Sequence, residues 1–274
     1  ITLNDGVEIP QLGFGTFQIP PSEATEVVGR ALELGYRHID TAQMYGNEAE
    51  VGAAVRASGL DRGDVFVTSK LNNGFHDYDH ALAAFDESIA RLDIGYLDLF
   101  LIHWPLPTVS DYVTTWKAME QMRTTGKVRS IGVSNFEPDH LRRLLDETDT
   151  VPSVNQIEVH PYFAQPELRG FGRDHRIATE AWSPIARGAV VDDPVIGEIA
   201  AEVGRTSAQV TLRWHIQRGD IVFPKTTHPD RMRENFELFD FGLDPDAMRR
   251  IDELDRGVAG RRGPDPKTFD LMPS

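Results

Sequence analysis

The chain has 274 residues, 40% of them hydrophobic, which suits two small domains or one large α/β barrel with a substantial core. Its 28 basic and 43 acidic residues give a formal charge of −15, a field that disfavours nucleic acid and anionic membrane surfaces as partners. The absence of cysteine excludes disulfides and thiol chemistry, and no apolar run approaches the ~18 residues of a membrane-spanning helix.

The first residues carry neither a basic n-region nor an apolar h-region, so no secretory leader is expected in this stretch and the expected compartment is cytoplasmic. Thr2-Leu3 and Val7–Ile9 flank Asn4-Asp5-Gly6, and Asp-Gly between short runs predicts a hairpin. Leu12–Gly15 reads as a strand. Ser22 is placed to N-cap a helix with Ala24, Val27, Val28 and Ala31 on one face, stopped by Gly35. A strand over Tyr36–Asp40 follows, then Asn47 with Glu50 as a capping box ahead of Val51, Ala54 and Val55. Further strands are predicted over Val65–Lys70, Leu97–His103, Val128–Ser134, Val154–Glu158, Ile177–Trp182 and Ile221–Pro224. Helical spacing recurs between them at Leu82, Phe85, Ile89 and Leu92, and again at Leu141, Leu144 and Leu145, while Thr206 with Gln209 caps a later helix.

Several of these strands are almost continuously apolar, as expected where helices cover a parallel sheet. Eight strand–helix units over residues 1–274 predict one domain, a (β/α)8 TIM barrel. The alternative is a doubly wound sheet, which for a dinucleotide would carry Gly-x-Gly-x-x-Gly at its first turn. Here Gly13-Phe14-Gly15 leads into Thr16-Phe17-Gln18, without the third glycine.

Barrel enzymes work at the C-terminal ends of their strands, and polar residues accumulate there. Asp40, Lys70 and His103 end three successive predicted strands, and Tyr45 lies in the loop after Asp40. Each alone reads most simply as structural. Their joint occurrence on one rim points to carbonyl reduction: Lys70 lowers the Tyr45 phenol's pKa, Asp40 holds Lys70, His103 positions a carbonyl, and Tyr45 donates the proton. A metal-dependent barrel hydrolase is the first competitor, with His38, Asp40, Glu158, His160 and His103 as conceivable ligands. It leaves Tyr45 and Lys70 unexplained, and no His-x-His pair is present.

Long stretches around these residues resemble the aldo-keto reductase superfamily, most closely its bacterial 2,5-diketo-gluconate reductase branch. They are Gly35-Tyr-Arg-His-Ile-Asp-Thr-Ala42 with Tyr45-Gly-Asn-Glu48, Leu101-Ile-His-Trp-Pro105, Gly132-Val-Ser-Asn-Phe136, Val154-Asn-Gln-Ile-Glu158 and Ile221-Val-Phe-Pro-Lys225. The resemblance runs from Leu3 to about Asp255. It implies a barrel whose base is closed by the hairpin, extra helices near the C-terminus, a monomer, NADPH as cofactor, and Asp40, Tyr45, Lys70 and His103 as the catalytic tetrad. It further implies that Ser134, Asn135 and Gln156 hold the nicotinamide carboxamide and that Trp182 stacks on that ring. Ser183, Pro184 and Ile185 would follow the pyrophosphate, with Thr16 and Phe223 also at the cofactor. Lys225, Thr226, Thr227, Arg231, Glu234 and Asn235 would surround the 2′-phosphate, where two cations and two hydroxyls at a helix start also suit an anion on physical grounds.

Substrates implied are small aldehydes, dicarbonyls or keto-sugar acids, with Phe17 and Trp104 as apolar walls. Asn72 stands where relatives commonly carry Trp, which should widen the pocket or make it more polar. Arg187 departs from the usual loop and could reach the cofactor or solvent, and the tail from Gly257 should border the substrate. The second competitor is a non-enzymatic NADPH-binding subunit of the same fold, which the four filled tetrad positions disfavour.

Overall fold

In the computed structural model, which describes residues 1–272, eight parallel strands form one sheet in the order β1 to β8. These are β1 Phe14–Gly15, β2 His38–Asp40, β3 Phe66–Leu71, β4 Leu97–Ile102, β5 Val128–Ser134, β6 Val154–Glu158, β7 Ala178–Trp182 and β8 Ile221–Val222. A parallel bridge between Leu12 and Val222 joins the last strand to the first and closes the barrel. The predicted (β/α)8 architecture is therefore observed.

Helices α1 Pro21–Leu34, α2 Glu48–Ala57, α3 Tyr78–Leu92, α4 Tyr112–Thr124, α5 Pro138–Glu147 and α6 Pro166–Asp174 each follow one strand. Two helices, α7 Pro194–Val203 and α8 Ser207–Gln217, separate β7 from β8, and α9 Pro229–Phe236 and α10 Pro245–Asp252 come after it. None of the described helices is long and apolar enough to cross a membrane. Between the strands and helices lies one large apolar cluster that includes Phe14, Phe85, Phe100, Trp116 and Trp214, all essentially sealed from solvent. Burying each such side chain contributes about 1.5–3 kcal/mol.

Local details differ from the sequence expectations for identifiable reasons. Helix α1 begins at Pro21 with Pro20 as its cap, because proline at the first helical position needs no hydrogen-bond partner; Ser22 lies inside the helix. Gly35 does end it, at φ 112°, where a side chain would be strained. Asn47 starts α2 without capping it, since its side chain is used elsewhere, as described below. In α3 the buried face is Ala81, Ala84, Phe85, Ser88 and Leu92, while Leu82 and Ile89 are only partly covered. Thr206 and Gln209 form the predicted reciprocal capping box. At the N-terminus Thr2 and Glu8 make a single antiparallel bridge, with Leu3 N donating to Val7 O (2.8 Å). Leu3 and Ile9 pack in a small cluster with Phe66, Leu99, Leu101, Val154 and Ile221.

Candidate active site

Four side chains from β2, β3, β4's exit and one loop meet at the C-terminal rim. Lys70 is fully buried, and its Nζ donates to Asp40 Oδ1 (2.6 Å), to Thr41 O (2.9 Å) and to Tyr45 Oη (3.4 Å). The register of the sheet sets this up: Asp40 pairs with Thr68, so Lys70 lies two residues further along and on the same face. The His103 ring meets the Tyr45 ring edge-on with centroids 5.9 Å apart. The barrel thus brings all four of these residues together.

Tyr45 ends a short 3₁₀ turn, Gln43–Tyr45, closed by Gly46 at φ 68°. Two amide side chains that sequence reasoning had not assigned to the site hold this turn. Gln43 donates to Ala84 O (2.6 Å) and Ser88 Oγ (2.8 Å) and accepts from Asn72 N (2.7 Å). Asn47 accepts from Thr41 Oγ1 (2.8 Å) and donates to Thr16 O and Ile19 O (both 3.0 Å). That tertiary role is why it leaves the helix start uncapped. Neither residue has a local pattern that distinguishes it from an ordinary turn amide.

Burial dominates the electrostatics. It acts to lower Lys70, but Asp40 and Tyr45 more than offset this, so the ammonium is retained above its ordinary value. Burial raises Asp40 against the pull of Lys70, and the 2.6 Å contact keeps the pair charged. Burial also raises the Tyr45 phenol; Lys70 lowers it without cancelling the effect, contrary to the net lowering the sequence suggested. The phenol is thus protonated at neutral pH. Burial, helped by Lys70, holds His103 well below its ordinary value, so the imidazole is neutral, with Nδ1 buried and unpartnered.

One residue that sequence reasoning missed sits directly beneath. Glu180, buried on β7, accepts from Gln156 Nε2 (2.7 Å), and the same nitrogen donates to Asp40 Oδ2 (2.8 Å). The available signal was period-2 spacing with Trp182 on a strand otherwise apolar enough to be core.

The expected cofactor residues lie around the same rim. Asn135, at φ 63°, donates to His103 O (3.0 Å) and accepts from Trp182 Nε1 (2.8 Å), which orients the indole. Ser134 Oγ donates to Gln156 O (2.8 Å). Ser183 stands at φ 50° and Pro184 O contacts His215 Nε2 (3.1 Å), so this loop's path is set by backbone. Ile185 packs partly on the core, Phe223 is buried, and Thr16 Oγ1 donates to Asp40 O (3.0 Å).

Beyond β8, Thr226 Oγ1 accepts from His228 N (3.1 Å) ahead of α9, with Thr227 beside it and Lys225 and Arg231 exposed. Neither cation forms an ion pair with any described residue. Asn235 is buried on α9, whereas Glu234 receives the Thr206 hydroxyl and so serves the start of α8. Arg187 is at φ 56° in the loop after β7.

These features fit a dinucleotide: unpaired cations at a helix start for phosphate, and an oriented indole and amides near His103 and Tyr45. By contrast, no three metal-ligating side chains converge among the described residues. His160 bonds Glu158 (2.9 Å) and His38 contacts Thr68 (3.1 Å), so the ligand set of a metal hydrolase is not assembled.

On the substrate side, Phe17 is half exposed and lies against Tyr45 with centroids 5.1 Å apart. Trp104 packs on Phe269 of the tail at 4.3 Å. Asn72 turns back to accept from Gly74 N (3.1 Å), so its amide serves its own turn. The tail is held by Glu158, which accepts from Arg262 N (2.6 Å) and Gly263 N (2.8 Å), and by Asn73, which donates to Leu271 O (2.9 Å). A Cβ on Gly263 would collide with the Trp182 indole, so only glycine allows this approach.

Comparison with known proteins agrees with this geometry. The aldo/keto reductase family model matches residues 11–256. An aldo-keto reductase of Mycolicibacterium smegmatis is 52% identical over 271 residues, covering 99% of this chain and 98% of that protein. Methylglyoxal reductase DkgA of Escherichia coli is 44% identical, covering 98% and 97%. The crystal structure of a Gox0644 variant in complex with NADPH superposes with a TM-score of 0.95 at 47% identity, covering 99% and 98%. Fold, rim geometry and sequence similarity across nearly its whole length together show that the chain belongs to the aldo/keto reductase family.

Proposed function

We propose that the protein is an NADPH-dependent carbonyl reductase of small aldehydes, dicarbonyls or keto-sugar acids, with Tyr45 as general acid. The observation that carries this reading is the buried Asp40–Lys70–Tyr45 chain at the barrel's C-terminal rim. NADPH, when bound, supplies the hydride. Tyr45 Oη holds the proton that a developing alkoxide takes, and Lys70, kept charged by Asp40, favours the phenolate left behind. The neutral His103 ring donates a hydrogen bond that orients the carbonyl oxygen.

Ser134, Asn135 and Gln156 hold the nicotinamide carboxamide against Trp182, while Ser183, Pro184 and Ile185 follow the pyrophosphate, with Thr16 and Phe223 beside the cofactor. Lys225, Thr226, Thr227, Arg231 and Asn235 bind the 2′-phosphate. Glu234 belongs to the same group on α9, with one carboxylate oxygen bonded to Thr206. Phe17 and Trp104 wall the substrate site, with Asn72 at its edge. The relative named methylglyoxal reductase supports dicarbonyls as the first class to try.

The test is NADPH oxidation across aldehydes, α-dicarbonyls and keto acids, with NADH as control and Tyr45→Phe as the inactive variant. Turnover of NADPH by the wild type and its loss in Tyr45→Phe are expected. NADPH binding without turnover of any carbonyl would instead favour a non-enzymatic role. Comparable rates with NADH would refute the role of Lys225 and Arg231.

A further inference from the structure

The atom of Gln156 that bridges Asp40 and Glu180 must be nitrogen, because Asp40, already accepting from Lys70, can only accept. Both N–H groups of Gln156 are thereby used, 2.8 Å and 2.7 Å from the two carboxyls. The amide cannot turn over without setting its oxygen against the ionised Asp40. With both N–H groups given to the carboxyls, Oε1 is the acceptor left over, and no described residue donates to it.

We propose that Glu180 is a positioning residue: with Asp40 it fixes the Gln156 amide so that Oε1 is presented as an acceptor to the nicotinamide carboxamide. This couples the proton-donating chain to the cofactor through one side chain, and it rests on the NADPH reading given above.

The charge state fits. Glu180 faces Asp40 and His38 from β2, Lys70 from β3 and Gln156 from β6. Burial first, then Asp40, pushes its carboxyl up to about 8 against the smaller pull of Gln156 and Lys70. Since Oε2 accepts from Gln156, the proton belongs on Oε1, which has no partner and lies 4.0 Å from His38 Nε2. A neutral Glu180 adds an acceptor beside the Asp40–Lys70 pair without adding a second buried charge.

Glu180→Gln keeps the acceptor and the neutral state, whereas Glu180→Met keeps the volume and removes the acceptor. Dissociation constants for NADPH and for 2′,5′-ADP, which lacks the nicotinamide, separate the effects. Glu180→Gln should bind both like the wild type. Glu180→Met should lose about fivefold or more for NADPH, the scale of one hydrogen bond, with 2′,5′-ADP unchanged. Unchanged NADPH binding by Glu180→Met, equal weakening of both ligands, or a Glu180→Gln that behaves like Glu180→Met would overturn the assignment.

A further arm needs only the wild-type chain. The reduced 3-acetylpyridine analogue of NADPH lacks the carboxamide N–H and should bind several-fold more weakly; equal affinity overturns the proposal even where Glu180→Met does not fold. A wild type that binds no NADPH would refute the functional reading itself, whereas indifference of the variants alone refutes only Glu180's role.

Discussion

Asp40→Asn tests the buried chain most directly. The substitution preserves shape but removes the charge facing Lys70 at 2.6 Å, both groups being sealed from water. Removing one member of a buried ion pair costs about 3–5 kcal/mol, because the remaining charge is left uncompensated. At roughly 2–4 °C per kcal/mol for chains near this size, the thermal midpoint should fall by about 6–20 °C. A second penalty arises at Gln156, whose Nε2 now donates to Asp40 Oδ2 at 2.8 Å. If the introduced amide keeps its oxygen on Lys70, its own NH2 group opposes that donor.

Lys70 responds as well. Burial, the largest influence on it, lowers the ammonium, and Asp40 is the main opposing influence. Without Asp40 the lysine loses its proton at lower pH, and the alkaline limb of the kcat profile should move acidward. Circular-dichroism melting and a pH–rate series read both effects. A midpoint within about 2 °C of wild type, with an unshifted alkaline limb, would refute the argument that the pair is charged.

Other consequences are open to simpler measurements. Tyr45→Phe should cut kcat by about 10²–10⁴-fold while NADPH affinity, read by fluorescence titration, stays near wild type. Lys225→Met combined with Arg231→Leu should raise the KM for NADPH by about tenfold or more and leave that for NADH little changed, since two charge-assisted bonds to phosphate are lost. Glu180 should make stability pH-dependent. Its folded-state pKa of about 8 lies above the ordinary 4.5, so the native state retains a proton that the unfolded chain releases, and stability falls between those pH values. Urea midpoints from pH 5 to 8 should show this decline, and Glu180→Gln should flatten it. Gly263→Ala drives a Cβ into the Trp182 indole; carbonyl KM should rise through displacement of the tail, with the thermal midpoint nearly unchanged.

Whatever repeats or is local could be read from the chain alone. Apolar runs of strand length, alternating with helical spacing, are enough to specify a parallel sheet covered by helices, and strands β5 and β6 match their predicted limits. Asp40, Lys70 and His103 stood out because polar groups closing apolar runs are conspicuous. Contacts between distant segments settled the rest. Asn47 has the local form of a cap, yet its amide is committed to Thr16, Ile19 and Thr41. Glu234 shows no local sign of its bond to the Thr206 hydroxyl, which only the packing of α9 beside the start of α8 supplies. Tyr45 is raised rather than lowered because burial, which no spacing reveals, outweighs the nearby ammonium. Glu180 is the clearest case: it is joined to Asp40 only through Gln156 Nε2, a bridge that needs β6 and β7 to face β2 across a closed barrel.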